Sequence, residues 1–162
     1  HRVLYASDNI EVIEIGVPAE HVTTIDHSME LPNKTLNPER RFQGQKFVHH
    51  KADKAQWKAF RIPGFNSRDT SIALNTQNVA GVQVIRPNGQ PTQESWHCSD
   101  ILFTFVMEGT MTLEGEGKNP FDLSAGDAFV IPPNMKTIYA NTSEDLELLE
   151  VSLPGMFETH LS

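Results

Sequence analysis

Two glycine-bounded stretches decide how this sequence folds: GQPTQESWHCSDILFTFVMEG, residues 89–109, and GDAFVIPPNMKTIYAN, residues 126–141. Each contains a run of apolar and β-branched residues, which is typical of a strand that packs on a core. A glycine ends the first run, and a Pro-Pro-Asn triplet interrupts the second, where these residues favour a tight turn or an irregular bend. The pattern predicts two hairpins of a small β-barrel whose inward residues line one cavity.

Similar strand signals recur along most of the chain, and helical periodicity is scarce. Residues 30–46 are rich in Pro, Asn and charge and are interpreted as a linker, and residues 48–70 as irregular chain before the main sheet. We therefore predict an all-β fold with an N-terminal strand extension. The predicted strands are Ile10–Val17, Val79–Ile85, Ile101–Met107, Met111–Glu114, Ala128–Ile131 and Leu146–Leu153.

Composition excludes several classes of partner. A chain of 162 residues with 38% hydrophobic content is long enough for one sizeable core. A net charge of −8 without a Lys/Arg cluster argues against nucleic acid. No apolar run approaches the roughly 20 residues that cross a bilayer, so no membrane partner is expected. Cys98 is the single cysteine, so no internal disulfide can form and the reducing cytoplasm is the expected location.

The spacing within the two stretches resembles the two motifs of the cupin family. From Gly89 it is G-x5-Ser95-x-His97-x4-Leu102-x6-Gly109, and from Gly126 it is G-x5-Pro132-x-Asn134-x2-Thr137-x3-Asn141. The motifs occur in the family's order with 16 residues between them (110–125), and the resemblance covers about residues 78–155. It implies a double-stranded β-helix, the cupin jelly-roll barrel, over residues 47–162.

The resemblance also predicts what the barrel lacks. In the family, three histidines and one glutamate of these motifs coordinate iron, manganese, nickel or zinc. Here Ser95, His97, Leu102 and Thr137 occupy those positions, so one ligand of the set remains. A catalytic divalent metal normally needs three protein ligands. We therefore expect no tightly bound metal, and Fe, Mn, Ni or Zn only if His97 recruits donors that the motifs do not predict.

A small organic molecule is the expected ligand of the barrel interior. The predicted binding residues are Ser95, His97, Leu102, Thr104 and Thr137. Two further inward positions are Val106 and either Phe129 or Val130. Such a pocket is mostly apolar with a few hydroxyl groups.

His97 is the candidate catalytic residue, because imidazole titrates near neutral pH. The alternative is a structural histidine hydrogen-bonded to Ser95, Asp100 or water. Trp96 is expected on the outer face of the sheet or at a dimer contact, and Cys98 as a small buried hydrophobe.

An internal repeat extends the resemblance. Residues 1–26 align without a gap on residues 137–162, and Ser7, Glu11, Glu14, Pro18 and Thr23 fall on identical residues. The alignment places His1 on Thr137, the position of the last metal-binding histidine. The resemblance then becomes that of a bicupin, with residues 1–29 as the end of an upstream cupin domain and His1 as a candidate ligand of that barrel.

The predicted strand Ile10–Val17 needs a partner, because burying each of its apolar side chains is worth about 1.5–3 kcal/mol. An unpaired apolar edge strand invites association, so we expect a homodimer or contact with an upstream cupin half.

Two hypotheses for function remain open. In the first, the barrel binds or shapes a small-molecule pocket and supports a partner barrel that carries the metal. In the second, the chain is an enzyme of dioxygenase, decarboxylase or isomerase type with a non-standard site around His97, or performs metal-free acid–base chemistry there.

Overall fold

The structure is a computed structural model that describes residues 3–28, 30, 32 and 34–162. The chain divides into two compact units, residues 1–36 and residues 37–162. The second unit is a β-barrel with one short α-helix and one 3-10 turn, so the predicted all-β cupin-type fold is confirmed. None of the helices among the described residues is long and apolar enough to cross a membrane.

Thirteen strands and one α-helix make up the second unit. In chain order they are β1 (Arg41–Phe42), β2 (Gln45–Lys46), β3 (Lys58–Ala59), β4 (Phe65–Asp69), α1 (Ile72–Asn75), β5 (Gly81–Pro87), β6 (Ser95–His97), β7 (Ile101–Glu108), β8 (Thr110–Gly115), β9 (Phe121–Ser124), β10 (Ala128–Val130), β11 (Thr137–Ala140), β12 (Glu147–Leu153) and β13 (Thr159–Leu161).

Two antiparallel sheets form the barrel. One has the order β10-β7-β12-β5-β4-β3 and the other the order β13-β6-β11-β8-β9, while β1 and β2 form a separate hairpin. Side chains of both sheets meet in one apolar core. The residues of this core are Phe60, Ile62, Phe65, Ile85, Leu102, Val106, Met111, Leu113, Ile131, Tyr139, Leu146 and Leu148.

The motif residues shape the turns that hold the barrel together. Gly109 joins β7 to β8 with a φ of 75°, and a Cβ there would lie 2.7 Å from backbone atoms of Leu146. Only glycine adopts this conformation at so close an approach without strain. In the second motif, the backbone N–H of Asn134 donates to the carbonyl of His97 at 2.8 Å. This bond ties the Pro-Pro-Asn bend to β6, where the candidate site begins.

Most of the predicted strands exist with boundaries shifted by one or two residues. Period-two alternation in β7 and β11 places Leu102, Thr104, Val106 and Thr137 inside, each at most 5% exposed. Between the two remaining candidates, Phe129 packs against the core, whereas Val130 is 57% exposed.

The first strand prediction is wrong for the described residues. Residues 10–17 form no strand, and Ile10, Val12, Ile13, Ile15 and Val17 are exposed. An alternating apolar pattern forms a strand only where a ladder partner satisfies its backbone, and no residue in this stretch has one. The described part of the first copy therefore lacks the strands of the second copy, which contains β11, β12 and β13.

Two further segments differ from the prediction. Residues 41–46 of the predicted linker form the hairpin β1-β2, and residues 31 and 33 lie outside the described residues. The segment predicted as irregular contains β3 and β4, and β4 pairs with β5 over Phe65–Asp69. The mixed polar sequence FNSRD hides this strand, because only Phe65 and Ser67 face the core.

Candidate functional site

The four positions that carry metal ligands in cupins meet in the barrel interior. Ser95 and His97 lie on β6, Leu102 on β7 and Thr137 on β11, and all four line one cavity together with Ile131. Thr137 pairs directly with Ser95 across the β11–β6 ladder. The spacing in the sequence therefore brings these side chains together, although Thr104, which is fully buried, is not in the described lining of this cavity.

The cavity at this point is small. Its volume is about 10 Å³, which is room for about one water molecule. Leu102 is 2% exposed and places an apolar side chain where a carboxylate ligand would be required. A ligand larger than a few atoms must therefore bind outside this cavity or widen it.

Both ring nitrogens of His97 are engaged. Nδ1 accepts a hydrogen bond from the backbone N–H of Ser99 at 3.1 Å, so it carries no proton. Nε2 lies 3.1 Å from the carbonyl oxygen of Ile131, and it must donate its proton to that acceptor. The partners are thus backbone groups of Ser99 and Ile131, not the predicted Ser95, Asp100 or water.

The surroundings of His97 also favour its neutral form. Burial lowers its pKa below the usual value, and the positive charge of Arg61 lowers it further, while the hydrogen bond to the Ile131 carbonyl acts in the opposite direction. A proton on Nδ1 would break the bond from Ser99. These contacts describe a structural histidine that holds β6 against the bend before β11.

The residues present do not fit the metal that the cupin resemblance implies. Among the described residues, no group of three or more His, Cys, Asp or Glu side chains could hold a metal ion. His97 would have to give up one of its two hydrogen bonds to become a ligand. His1, the candidate ligand of an upstream barrel, lies outside the described residues.

Trp96 and Cys98, the neighbours of His97 in the chain, both point away from the barrel interior, as alternation predicts. Trp96 lies on the outer side of β6, where it stacks on His160 at 5.3 Å and contacts Lys136. The prediction for Cys98 is wrong, because its side chain is exposed. His97 and Ser99 point inward, so the residue between them points out.

A buried ion pair, missed by the sequence analysis, lies next to the four positions. Arg61, in the loop after β3, binds Glu150 of β12 at 2.5 Å, and the two side chains are 19% and 2% exposed. The guanidinium also packs over the rings of Phe60 and Phe157. The sequence could have indicated that Glu150 points inward, because it lies two residues after the buried Leu148 in β12. No sequence pattern indicates that Arg61, which lies in an irregular loop, is buried.

Burial controls the ionisation of this cluster. It raises the pKa of Glu150, and the adjacent Arg61 charge offsets part of this effect. Tyr139, which is 1% exposed, has its pKa raised by burial and by the negative charge of Glu150. Tyr139 is therefore protonated at any physiological pH and can act as a hydrogen-bond donor.

Several buried polar atoms of this cluster lack hydrogen-bond partners in the described part of the chain. They are Nε and Nη1 of Arg61 and the hydroxyl oxygens of Thr104, Tyr139 and Thr159. Thr104 lies close enough to Tyr139 to influence its pKa, but neither hydroxyl makes a hydrogen bond of standard geometry. Such groups are costly when left unpaired, so a cluster of them needs an explanation.

A larger cleft opens on the other side of the interior wall. Its volume is about 410 Å³, which is within the range for sites that bind small molecules. The lining is mainly apolar, with Lys118 as its cation: Leu113, Lys118, Phe121, Leu123, Ala128, Phe129, Val130, Ile131, Pro132, Met135 and Thr137. Ile131 and Thr137 line both the cleft and the small cavity, so the two spaces adjoin at these residues.

Comparison with known proteins agrees with this geometry. Residues 81–152 match the family described as cupin domain, and no curated protein sequence matches the chain. The polyketide cyclase RemF from Streptomyces resistomycificus is similar with a TM-score of 0.58 and 15% identity, over 72% of this chain and 84% of that chain. Pac13, a nucleoside dehydratase, has a TM-score of 0.57 and 13% identity, over 72% and 92%.

A third similar structure carries the family name itself. An RmlC-like cupin from Shewanella frigidimarina has a TM-score of 0.51 and 16% identity, over 68% of this chain and 94% of that chain. At these identities the likeness concerns the fold. The second unit is therefore a barrel of cupin fold, and the family match over residues 81–152 supports its place in the cupin superfamily.

Proposed function

We propose that this chain is a cupin barrel that binds a small organic molecule in the cleft between β9 and β10 and does not centre its function on a metal. The observation that carries the proposal is the 410 Å³ cleft, which shares the residues Ile131 and Thr137 with the barrel interior. The ligand is a mainly apolar molecule with one polar end. Its apolar part lies against Leu123, Phe129 and Met135, and its polar end faces Thr137.

The shape of the cleft supports this choice. Leu123, Phe129 and Met135 are partly buried residues that pack against the core, so they form a fixed wall. Phe121 and Val130, at 51% and 57% exposure, form an apolar rim. A ligand that covers such a rim gains roughly 25 cal/mol for each Å² of apolar surface removed from water.

The geometry of His97 does not favour the alternative, an enzyme with a metal or acid–base site around this residue. Its Nδ1 accepts from Ser99 and its Nε2 contacts the Ile131 carbonyl, so neither nitrogen is free to bind a metal or move a proton. Comparison structures of Pac13 contain uridine, which is consistent with the capacity of this fold to hold small organic ligands.

A charged side chain on the rim of the cleft should weaken this binding. We expect Val130→Arg to weaken the affinity for 2-naphthol, a neutral aromatic probe, by at least about tenfold, because the new side chain fills the cleft and places a charge against an apolar ligand. Fluorescence titration of 2-naphthol measures the change.

Ile101→Arg is the matched control for this experiment. Ile101 is also on a strand and 45% exposed, but it is not part of the cleft lining. Equal affinity of 2-naphthol for wild type and both variants would contradict the proposed site.

Exposed apolar side chains near the N-terminus support a second part of the proposal. We infer that the barrel works beside another cupin barrel, as the supporting half of a bicupin or as one subunit of a homodimer, in the reducing cytoplasm. Five apolar side chains within residues 10–17 are exposed, so a strand partner from another subunit would remove them from water. Sedimentation velocity of the full chain at micromolar concentration would give a dimer if this is right and a monomer if it is wrong.

A further inference from the structure

We propose that Arg61, Tyr139 and Thr159 bind a carboxylate oxygen of the ligand at the inner end of the cleft, so that the ligand class is an organic acid with an apolar body. This inference rests on the proposed small-molecule cleft. It deepens that proposal, because it assigns the polar end of the ligand to residues outside both cupin motifs.

The first argument is that the three residues share one cavity. Arg61, Tyr139 and Thr159 line the 10 Å³ space that also touches Ser95, His97 and Thr137. A space of this size admits one oxygen atom. It therefore fits the leading oxygen of a carboxylate but excludes an aromatic ring.

The second argument is the excess of hydrogen-bond donors. Nε and Nη1 of Arg61 and the hydroxyl group of Thr159 are buried without partners, and the Tyr139 hydroxyl has only the neighbouring hydroxyl of Thr104 beside it. Glu150 is the acceptor nearest to this charge, and it already binds Nη2 of Arg61. The N–H of His97 is also used, by the Ile131 carbonyl, so the unpartnered groups of Arg61 and Thr159 remain available to a further acceptor.

The third argument concerns which acceptor fits such a cluster. One water molecule accepts only two hydrogen bonds, fewer than the unpartnered N–H groups of Arg61 and the hydroxyl of Thr159 together offer. A carboxylate oxygen accepts hydrogen bonds and donates none. Hydrogen bonds to a carboxylate are also stronger than hydrogen bonds to a neutral oxygen. The guanidinium further favours an anion, because Nε and Nη1, which carry three of its five N–H donors, make no hydrogen bond.

The cavity and the cleft share two lining residues, Ile131 and Thr137. We place the ring of the ligand against Phe129 and its carboxylate beside Ile131 and Thr137, directed towards Tyr139, whose ring contacts that of Phe129 edge-on at 6.0 Å. The apolar cleft selects the body of the ligand and the buried donors select its charge.

The test compares 2-naphthoate with 2-naphthamide, two probes of nearly the same shape that differ in charge. We expect the wild-type chain to bind 2-naphthoate about tenfold or more tightly than the amide by isothermal titration calorimetry. Tyr139→Phe and Thr159→Val each remove one hydroxyl and keep the shape of the side chain. Each should reduce this preference for the acid several-fold, and Thr110→Val, an exposed position away from the cavity, should leave it unchanged.

Lys118→Gln separates the buried site from a rim alternative. Lys118 lines the cleft and is exposed, so it could attract the carboxylate outward. Loss of the preference in Lys118→Gln but not in Tyr139→Phe would overturn the proposal, and so would equal affinity for the acid and the amide. If 2-naphthol binds but the acid is not preferred, the carboxylate site alone fails; if none of the three probes binds, the proposed cleft fails as well.

Discussion

Replacement of Arg61 with methionine is expected to lower the free energy of unfolding by about 3 kcal/mol, because it leaves the carboxylate of Glu150 buried without its partner. Glu150 is 2% exposed, so solvent cannot take the place of the guanidinium. For a chain of this length, such a loss corresponds to a fall of about 6–12 °C in Tm. Urea and thermal melts followed by circular dichroism measure it.

The double variant Arg61→Met, Glu150→Leu should recover most of that stability. Paired replacement of a buried ion pair by apolar residues of similar size is often neutral, whereas removal of one partner is not. Lys46→Met is a suitable control, since it breaks the ion pair with the exposed Glu39 and should cause no measurable loss. A single Arg61→Met variant as stable as the wild type would contradict the view that this pair is buried and coupled.

The loss in Arg61→Met should also depend on pH. Burial already raises the pKa of Glu150 above its ordinary value of 4.5, and Arg61 is the group that lowers it. Without Arg61 the folded state holds the proton more strongly, so stability is retained below the unfolded pKa and is lost as pH rises through the folded pKa. The difference from wild type should therefore be smaller at pH 5 than at pH 8.

The triple variant Ser95→His, Leu102→Glu, Thr137→His is expected to gain a zinc site that the wild type lacks. The three positions line one cavity with His97, so the new side chains supply three donors even if His97 keeps its two hydrogen bonds. Three protein ligands suffice for a zinc site of the catalytic kind. We expect about one equivalent of Zn²⁺ to bind at micromolar or tighter Kd by isothermal titration calorimetry.

Two effects oppose each other in this variant. The cavity of about 10 Å³ is too small for two added imidazoles, so the metal-free variant should be less stable by about 1–3 kcal/mol. Zinc should restore its Tm, because a ligand that binds only the folded state stabilises that state.

The matched control carries glutamine instead of glutamate at position 102: Ser95→His, Leu102→Gln, Thr137→His. It keeps the volume of the side chain but lacks the carboxylate, so it should bind zinc more weakly. A folded triple variant with no gain over wild type would mean that these positions do not face one point.

The barrel and the four motif positions could be predicted because the spacing of glycine, proline and histidine resembles the two cupin motifs. Alternation of period two then decides which side chains of β7 and β11 point inward. The same alternation predicts an outward Cys98, because it lies between the inward-pointing His97 and Ser99.

The features that sequence reasoning missed depend on contacts between distant segments. Arg61 and Glu150 are 89 residues apart in the chain, and no local pattern relates an arginine in an irregular loop to a glutamate in a strand. The tautomer of His97 is set by backbone groups of Ser99 and Ile131, which motif spacing does not specify. The apolar pattern of residues 10–17 predicted a strand, but a strand also requires a ladder partner.

Metal analysis of the purified, tag-free chain tests the central claim most directly. The protein is incubated with Fe²⁺, Mn²⁺, Ni²⁺ or Zn²⁺, freed of excess metal by gel filtration and measured by inductively coupled plasma mass spectrometry. Because Ser95, Leu102 and Thr137 replace three ligands and both nitrogens of His97 are engaged, we predict well below one equivalent of each metal, with 2-naphthol binding unaffected by EDTA. Suppose instead that the wild type retains near one equivalent of any of these metals and that His97→Gln does not. This result would contradict the claim that the barrel binds its ligand without a metal centre.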